Sequence, residues 1–419
     1  MENMKKQNRS RWFLRRLMCA ALVFCTVFAA FAATPVQIRA NNFVEEYRDM
    51  IGQGGYIYYV KTKTTAKGDG AVIYRMKVAT AEKSKVIEET HGIINMCVSG
   101  PNLFYTTYSE DGMRWEIWHC NLDGSEAERV CDGCLCYADG ADLYGIKYVG
   151  ANTRLFHVGL SANGKRTAVK TVKEGTVLDY ACTVDKTSYY YTYNGKTERI
   201  ALYALEKGKT KLKKLATEKR AENDSNSALL VSDVKRINGE LYYNYGSYEG
   251  SGHFWYGTIK KLTADGKKKV VGKNVENDTI IAGTKELYFY DSLAGCYYKY
   301  DLAAGKKTKY AMEYKEGVNY IILGDKTYMA DTSNKKKITI SRFNSGTAQE
   351  TLTKDFITIP FKQKANVSYS VSMRQVGIYN MVCVTGTDFT DQSYGWHGNV
   401  VSVDWYITDG AGTVLGSFR

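Results

Sequence analysis

The sequence predicts an all-β fold, a β-propeller of four-stranded antiparallel blades, and three observations support this prediction. A short phrase recurs throughout the chain: an apolar residue, an aromatic residue, and then alternating polar and apolar residues up to a turn. One copy is Ile73-Tyr74-Arg75-Met76-Lys77-Val78. Many copies end at Asn-Gly or Asp-Gly, residues that tolerate the positive φ of tight hairpin turns. The composition also favours strands, because Tyr contributes 34 residues and Pro only 3, while no sustained 3.6-residue period indicates helices.

Each repeat divides into four predicted strands, named a to d in chain order. Strand b is the phrase itself, strand c is short and basic, and strand d is apolar, as in Ile93-Ile94-Asn95-Met96-Cys97-Val98. Strand a carries two adjacent aromatic residues, which we call the doubled aromatic, or other residues in their place. Its copies begin at Ile57, Leu103, Leu143, Tyr189, Leu241, Leu287, Thr327 and Gly377. Four antiparallel strands in roughly 40 to 50 residues are typical of a propeller blade, which packs both faces against its neighbours.

The number of strands predicts how the ring closes. Eight a-b-c sets are present, but only seven d strands lie between them, and the chain ends on a c strand. We therefore expect eight blades, with Phe43-Val44-Glu45-Glu46-Tyr47 as an N-terminal strand that completes the last blade. Seven blades with a C-terminal extension are the alternative, because Pro360 interrupts the strand-like run from Asp355 to Met373.

The first forty residues are predicted to be a targeting segment, and residues 41–419 the propeller. Basic residues, among them Lys5, Lys6, Arg15 and Arg16, precede an apolar run from Leu17 to Ala33, as in a secretory signal peptide. Cleavage is expected after Ala32 or nearer Ala40. An uncleaved N-terminal membrane anchor is the alternative, since the run is close to the lower limit of about 17 residues for a spanning helix.

Charge and cysteine content narrow the class of partner. The formal net charge is +13, and removing residues 1–40, with seven basic residues and one acidic residue, leaves +7. The remaining lysines lie at hairpin ends, and no nucleic-acid recognition motif accompanies them, so no nucleic-acid partner is expected. The pattern Cys131-x-x-Cys134-x-Cys136 is half of a zinc site without a second pair, so we expect no metal site and no cofactor. Disulfide formation by the eight cysteines beyond the signal is left open.

At the a strands the chain resembles a family of secreted bacterial propellers described as similar to the propeller of low-density-lipoprotein-receptor-related proteins. Ile57-Tyr58-Tyr59, Leu241-Tyr242-Tyr243 and Asp123-Gly124 carry this resemblance, which extends over roughly residues 41–419. It implies a domain of unknown function from Gram-positive anaerobes, secreted or held at the cell surface. The receptor-type Tyr-Trp-Thr-Asp strand is present only in altered form, as in Tyr288-Phe289-Tyr290-Asp291, so receptor ligands are not implied.

The candidate ligand site lies on the face of the propeller that carries the a-b connections. Three of these connections read as long polar loops, at 61–70, 246–253 and 385–399, and rigid scaffolds leave such loops free to carry function. The last contains the predicted ligand-binding residues, which combine aromatic and hydrogen-bonding side chains: Asp388, Asp391, Tyr394, Trp396 and His397. The structural alternative is that Trp396 only closes the end of a blade.

No catalytic constellation is evident in the sequence, so no catalytic residue is predicted. Its five histidines fall in different repeats, and His119 and His157 share one position of the phrase, which indicates structural reuse. We expect a monomeric, non-catalytic scaffold that binds a protein, a peptide or a cell-envelope glycan, with membrane contact only if the N-terminal run is uncleaved. One alternative is a carbohydrate-active glycosidase or lyase, which predicts a central pocket lined by two carboxylates with shifted pKa values. Another is the ectodomain of a membrane-tethered sensor.

Overall fold

The fold is described from a computed structural model of the 419-residue chain. The structure describes residues 50–65, 68–140, 142–159, 165–184, 186–220, 229–248, 255–282, 285–291, 293–310, 318–323, 326–344, 351–376, 378–388, 390, 399–409 and 412–418. All regular elements in these ranges are β-strands, which confirms the all-β prediction. Within the same ranges no helix is long and apolar enough to cross a membrane, and the run from Leu17 to Ala33 lies outside them.

Four four-stranded sheets come first, and in each the strands are neighbours in chain order. Sheet 1 contains β1 (Met50–Gln53), β2 (Tyr56–Thr65), β3 (Gly68–Lys77) and β4 (Glu82–Glu89). Sheet 2 contains β5 (Ile93–Ser99), β6 (Asn102–Tyr108), β7 (Trp115–Asn121) and β8 (Glu128–Asp132). Sheet 3 contains β9 (Cys134–Asp139), β10 (Asp142–Val149), β11 (Asn152–Gly159) and β12 (Lys165–Val172). Sheet 4 contains β13 (Thr176–Val184), β14 (Thr187–Asn194), β15 (Arg199–Glu206) and β16 (Lys213–Lys219).

Three sheets follow. Sheet 5 has seven strands: β17 (Leu230–Ile237), β18 (Glu240–Tyr248), β19 (Trp255–Leu262), β20 (Lys268–Ala282), β21 (Glu286–Asp291), β22 (Cys296–Asp301) and β23 (Lys306–Tyr310). Sheet 6 contains β24 (Val318–Leu323), β25 (Lys326–Asp331), β26 (Lys337–Asn344) and β27 (Thr351–Pro360). Sheet 7 contains β28 (Val367–Val376), β29 (Tyr379–Asp388), β30 (Asn399–Thr408) and β31 (Val414–Phe418).

The long strand β20 joins two four-stranded arrangements inside sheet 5. Its first part, from Lys268 to Val275, pairs with β19, and its second part, from Val275 to Ala282, pairs with β21. The strand is therefore the fourth strand of one arrangement and the first strand of the next. Each half of sheet 5 thus repeats the strand order of the other sheets.

The grouping of strands differs from the prediction in one respect. The repeat pattern predicted strand d at the end of its own repeat, but the structure pairs this strand with the a strand that follows, as β5 pairs with β6. The reason is local, because a tight turn such as Ser99-Gly100-Pro101-Asn102 brings these two strands together at once. Strand d is therefore the first strand of each sheet.

The predicted closing strand, Phe43 to Tyr47, lies outside the described residues. The first described strand, β1, pairs with β2 inside sheet 1, and sheet 7 obtains its four strands from the C-terminal part of the chain. Sheets 1 and 7 instead meet through side chains, because Met50 and Met76 share a buried cluster with Val376, Met381 and Ile407. The first and last sheets thus pack against each other.

Similar apolar clusters join consecutive sheets elsewhere. Tyr58 and Ile73 of sheet 1 pack with Met96 and Leu103 of sheet 2, and the same arrangement recurs between later sheets. The doubled aromatics explain this pattern, because successive residues of a strand point to opposite faces and each member of the pair reaches a different neighbour. Four-stranded antiparallel sheets that bury both faces against neighbouring sheets form the architecture of a β-propeller.

Candidate functional site

The connections between strands alternate between the two ends of the sheets. In an antiparallel sheet built in chain order, the turn between strands 1 and 2 lies at one end, and the connection between strands 2 and 3 lies at the other. We call the second end, which also receives the connection to the next sheet, the long-loop face. The end of β10, the end of β29 and the start of β30 lie there.

The predicted long loop at 61–70 is mostly strand in the structure, and the one at 385–399 begins and ends in strand. Strands β2 and β3 pair from Tyr56↔Lys77 to Thr65↔Gly68, so the predicted loop at 61–70 is an extended hairpin. The hairpin of β29 and β30 likewise pairs as far as Asp388↔Asn399. The polar residues of these segments were misleading, because both faces of a hairpin that extends beyond the sheet can remain in water.

The structure places one of the five predicted ligand-binding residues. Asp388 ends β29, and its Oδ1 accepts hydrogen bonds from the backbone N of Thr390 at 2.8 Å and from its Oγ1 at 2.6 Å. This is an Asx-type turn, which orders the start of the connection. Asp391, Tyr394, Trp396 and His397 lie outside the described residues, so their predicted role stays a prediction.

A polar position recurs on the first strands of the sheets. In each case it pairs with the residue that follows the doubled aromatic, or its replacement, on the second strand, as Asn95 pairs with Thr106 and Asp179 with Tyr191. We call this position the inner polar ring. Its described members are Asn95, Cys134, Asp179, Asp233, Glu276, Asn319 and Ser372. These seven residues occupy the equivalent position of the first strands on which they lie.

Asp179, a member of the inner polar ring, has a raised pKa. Burial raises its pKa to about 6, although hydrogen bonds from the backbone N of Tyr180 (2.8 Å) and from Oη of Tyr191 (3.3 Å) act in the opposite direction. Desolvation disfavours the charged form of a carboxyl group, which explains the direction. Asp179 can therefore exchange a proton near neutral pH.

Other members of the inner polar ring interact with neighbouring side chains and strands. Asn95 donates from Nδ2 to Sγ of Cys134 and to the carbonyl of Leu135, both at 3.4 Å, and so ties β5 to β9. Asp233 lies 3.2 Å from Nζ of Lys235, and each side chain is only 10% exposed. The ring thus contains a compensated carboxylate on β17 and, on β13, a carboxyl group with a raised pKa.

Burial raises the pKa of two of the buried thiols. Burial, with Cys134 and Asp179 nearby, raises the pKa of Cys136 well above its usual value, and burial raises that of Cys120 to about 12. A protonated thiol is a poor nucleophile and a poor metal ligand. The eight cysteines within the described residues are free of disulfides, and no group of His, Cys, Asp and Glu among those residues could hold a metal ion.

The shared position of two histidines has a structural explanation. His119 Nε2 lies 2.9 Å from Oδ1 of Asn102, and His157 Nε2 lies 2.9 Å from Oδ1 of Asp142. Each imidazole also packs on an aromatic ring, of Phe104 and Tyr144 respectively. The repeated contacts confirm that these two histidines fix the pairing of strands 2 and 3.

An apolar patch is exposed on the long-loop face of sheets 2 and 3. Met113 is 65% exposed, Tyr148 51% and Val149 38%, and the ring of Trp115 lies 5.7 Å from that of Tyr148 at 53°. We call these four residues the rim patch. Asp111 orders the loop that carries Met113, because its Oδ1 accepts hydrogen bonds from Oγ of Ser109 and the backbone N of Met113. The loop that carries Met113 is therefore held by hydrogen bonds.

Charged residues of both signs adjoin the rim patch along β7 and β10, and they form ion pairs with one another. Glu116 pairs with Arg129 at 3.0 Å, Arg129 pairs with Asp132, and Asp132 pairs with Lys147. Lys147 directly precedes Tyr148, and Glu116 directly follows Trp115. Aromatic surface next to oriented polar groups is the usual composition of a binding site.

Sequence reasoning missed both the rim patch and the inner polar ring. A signal for the ring was present, because Asn95, Asp179 and Asn319 each interrupt an otherwise apolar first strand. The rim patch had no comparable signal. Trp115 and Tyr148 are 33 positions apart in the sequence and meet only because β7 and β10 lie in adjacent sheets.

Comparisons with known proteins found similar solved structures. No family model matches this chain, and no curated protein matches it. Solved structures with similar folds include the β-propeller domain of the Trilobed protease from Pyrococcus furiosus, with 12% identity, a TM-score of 0.37, and 90% of this chain and 96% of that chain covered. They also include an oligogalacturonate lyase in complex with manganese, with 13% identity, a TM-score of 0.38, and 71% of this chain and 85% of that chain covered. A third is oligopeptidase B from Trypanosoma brucei, with 10% identity, a TM-score of 0.46, and 88% of this chain and 55% of that chain covered. Likeness at this level does not bear on function.

Proposed function

We propose that this chain is an exported, non-catalytic β-propeller that binds a protein, a peptide or a cell-envelope glycan on its long-loop face. The rim patch is the observation that carries the proposal. Contiguous apolar patches on the surface of a soluble protein often mark sites of interaction. Here Met113, Tyr148 and Val149 are exposed on an ordered edge of two rigid sheets.

We further propose that the propeller has eight blades and closes through side-chain packing. Six four-stranded sheets, together with the two arrangements that share β20, support this number. The cluster of Met50, Met76, Val376 and Ile407 supports contact between the first and the last blade. A closed ring would hold the long loops at fixed distances, which is what a binding scaffold requires.

Retention on isolated peptidoglycan and envelope polysaccharide, at low and high salt, tests the binding proposal. The double variant Met113→Ser/Tyr148→Ala removes the exposed surface of the rim patch. Ile378→Ser is the matched control, because Ile378 is 81% exposed but lies in the turn between β28 and β29, at the opposite end of the sheets.

We expect retention that survives high salt, falls at least tenfold in the double variant, and is unchanged in the control. Equal retention of all three proteins would contradict a role of the rim patch. Retention lost to salt alone would mean adsorption by the basic surface. No retention of the wild type would contradict the glycan form of the proposal and leave peptide or protein as ligand.

One observation favours a second candidate function, a carbohydrate-active enzyme. Asp179 lies in the inner polar ring with a pKa raised to about 6, which suits a general acid or base near neutral pH. An enzyme would require a second carboxylate; of the ring carboxylates whose side chains are described, Asp233 is paired with Lys235. Cleavage of an envelope polysaccharide by the wild type, abolished in Asp179→Asn, would favour the enzyme; equal absence of cleavage in both proteins would favour the scaffold.

A further inference from the structure

Three consecutive outer strands carry clusters of lysine. The outer strand is the fourth strand of each four-stranded arrangement, and three in a row are β16, the first part of β20, and β23. Within the first four residues of these strands, six lysines are exposed and have no carboxylate at ion-pair distance in the described part of the chain. We call them the basic belt: Lys213, Lys214, Lys269, Lys306, Lys307 and Lys309.

The basic belt is continuous, because the start of β20 touches both of its neighbours. Nζ of Lys268 lies 2.9 Å from the carbonyl O of Thr217 in β16. Nζ of Lys269 lies 3.4 Å from the carbonyl O of Gly305, in the turn that precedes β23. Each of the three strands begins after the turn between strands 3 and 4, at the end of the sheets opposite the long-loop face. The belt is therefore one surface, separate from the rim patch.

One lysine of the belt is positioned without being neutralised. Nζ of Lys307 lies 3.9 Å from the centroid of the Tyr298 ring and 5.9 Å from that of Phe289. An aromatic ring attracts a cation through its quadrupole but carries no net charge. The ammonium group therefore keeps its full charge while the ring restricts its position. An anion that binds Lys307 does not have to displace a carboxylate.

Protection of the sheet edges does not account for the belt. Lysine on an outer strand opposes pairing with a further strand, but other outer strands carry charge differently. β4 contains three glutamates beside its lysines, β8 contains a glutamate and an aspartate, and β31 has no charged residue. By contrast, β23 and the segment 268–275 of β20 contain no acidic residue, and Glu218 of β16 is buried. The positive charge is thus concentrated on three neighbouring strands.

We propose that the basic belt binds a linear anionic polymer of sugars or polyols, with phosphate or carboxylate as its repeated acidic group. The ammonium groups lie on three strands, so a ligand with repeated charges contacts more of them than a single small anion does. A surface of one sign also attracts a polymer of the opposite sign over a distance. The site lies apart from the rim patch, so its failure would leave the rim-patch proposal standing.

The side chains of the belt favour this polymer over a nucleic acid. The belt contains lysine and no arginine, and an ammonium group acts as a point charge that accepts phosphate or carboxylate without a planar, bidentate geometry. Proteins that bind single-stranded nucleic acids stack the bases on aromatic side chains. On β22 and β23, however, Tyr300 and Tyr310 are buried and Tyr298 lies under Lys307. This part of the belt offers charge without a stacking surface.

Biolayer interferometry with the purified full chain tests the proposal on four immobilised polymers. Carboxymethyl-dextran carries carboxylates on a sugar chain, and unmodified dextran is its neutral control. Inorganic polyphosphate supplies repeated phosphate groups, and oligo(dT) represents a nucleic acid. Tighter binding of polyphosphate or of carboxymethyl-dextran identifies phosphate or carboxylate as the preferred acidic group.

Two variants of equal net charge separate the belt from general electrostatic attraction. The test variant is Lys269→Gln/Lys306→Gln/Lys309→Gln, which retains Lys307 over its ring. The matched control removes three exposed lysines that belong to sheets 6 and 7 or to their connection: Lys335→Gln/Lys362→Gln/Lys364→Gln. All six substitutions fall on exposed side chains, so the thermal unfolding midpoint should be retained.

We expect saturable binding of both anionic polymers that weakens as salt is raised. Binding should be about tenfold weaker in the test variant, because half of the belt is lost, and nearly unchanged in the control variant and in Met113→Ser/Tyr148→Ala. Equal loss in the two lysine variants would overturn the proposal, as would binding of unmodified dextran as tight as that of carboxymethyl-dextran. No binding of either anionic polymer would also overturn it. Tighter binding of oligo(dT) than of both anionic polymers would replace the proposed ligand with a nucleic acid.

Discussion

At the level of single residues, Asp179 links burial to a measurable pH dependence. Its pKa is about 6 in the folded chain and about 3.8 when exposed, because burial disfavours the charged form. The unfolded chain therefore loses its proton first, and stability falls as pH rises from about 4 to about 6. A difference of roughly two pKa units corresponds to about 3 kcal/mol.

Asp179→Asn should remove this fall. We expect the free energy of unfolding of the variant to exceed that of the wild type by up to about 3 kcal/mol above pH 6, with the difference vanishing near pH 4. Denaturant titrations at several pH values measure it. Asp265→Asn is the control, because Asp265 is exposed beside Lys267, and it should leave the wild-type pH profile in place. An identical profile for Asp179→Asn would contradict the raised pKa.

A second residue, Glu218, joins sheets 4 and 5 through charge. It accepts hydrogen bonds from Oη of Tyr243 at 2.7 Å and from Nζ of Lys268 at 2.9 Å, and it also pairs with Lys260. Burial alone would raise the pKa of Glu218, but these donors lower it overall. Its stabilising effect is therefore complete above the ordinary pKa of a glutamate and is lost as pH falls below it.

Glu218→Ala should cost about 3 to 5 kcal/mol at neutral pH, because it leaves two ammonium groups beside apolar surface without their counterion. Chemical denaturation measures the loss. Asp265→Ala removes a carboxylate from an exposed pair with Lys267 and should produce no measurable change. A small loss in Glu218→Ala, comparable with that control, would mean that Lys260 and Lys268 reach water in the folded chain.

At the level of strands, Gly145 shows how one position of the repeat adapts to its neighbours. It stands in β10 where Tyr105 stands in β6, and a Cβ added there would lie 2.7 Å from Cζ of Phe156 and 3.0 Å from the carbonyl of Cys134. The missing side chain gives Phe156 its space between sheets 2 and 3. The repeat therefore varies where packing requires it.

Gly145→Ala should destabilise the chain by about 1 to 3 kcal/mol through overpacking. Thermal and chemical unfolding measure the change. Gly195→Ala is the matched control, since the nearest atom to its added Cβ lies 4.0 Å away, in Tyr193, and it should be close to neutral. Equal effects of the two substitutions would mean that loss of backbone freedom, and not contact with Phe156, governs this position.

At the level of the whole molecule, the contact between the first and last sheets should decide cooperativity. Ile407 is fully buried in the cluster that Met50 and Met76 share with Val376. Ile407→Ala should cost about 2 to 5 kcal/mol. Hydrogen exchange should then accelerate in β1–β4 and in β28–β31 together, because both lose the same contact. Acceleration confined to β28–β31 would contradict closure of the ring by this cluster.

Much of this fold could be predicted from local patterns. The doubled aromatics at Tyr58-Tyr59, Tyr189-Tyr190 and Tyr242-Tyr243 mark second strands whose alternate residues are buried on both faces, and alternation is a property of the strand itself. Turn residues such as Asn-Gly and Asp-Gly likewise predicted the hairpins, because the conformation of a tight turn depends on the residues within it. The pairing of strand d with the following strand was missed, because a repeat pattern alone does not show where a sheet begins.

The candidate site was less predictable, because its parts come from different repeats. The sequence by itself determined the strands, their recurrence in groups of four, and which positions are apolar, since these features depend on neighbours within a few residues. Only the tertiary structure decided that Trp115 lies against Tyr148 and that burial raises the pKa of Asp179. Both depend on which sheets pack together, and residues distant in the chain determine that packing.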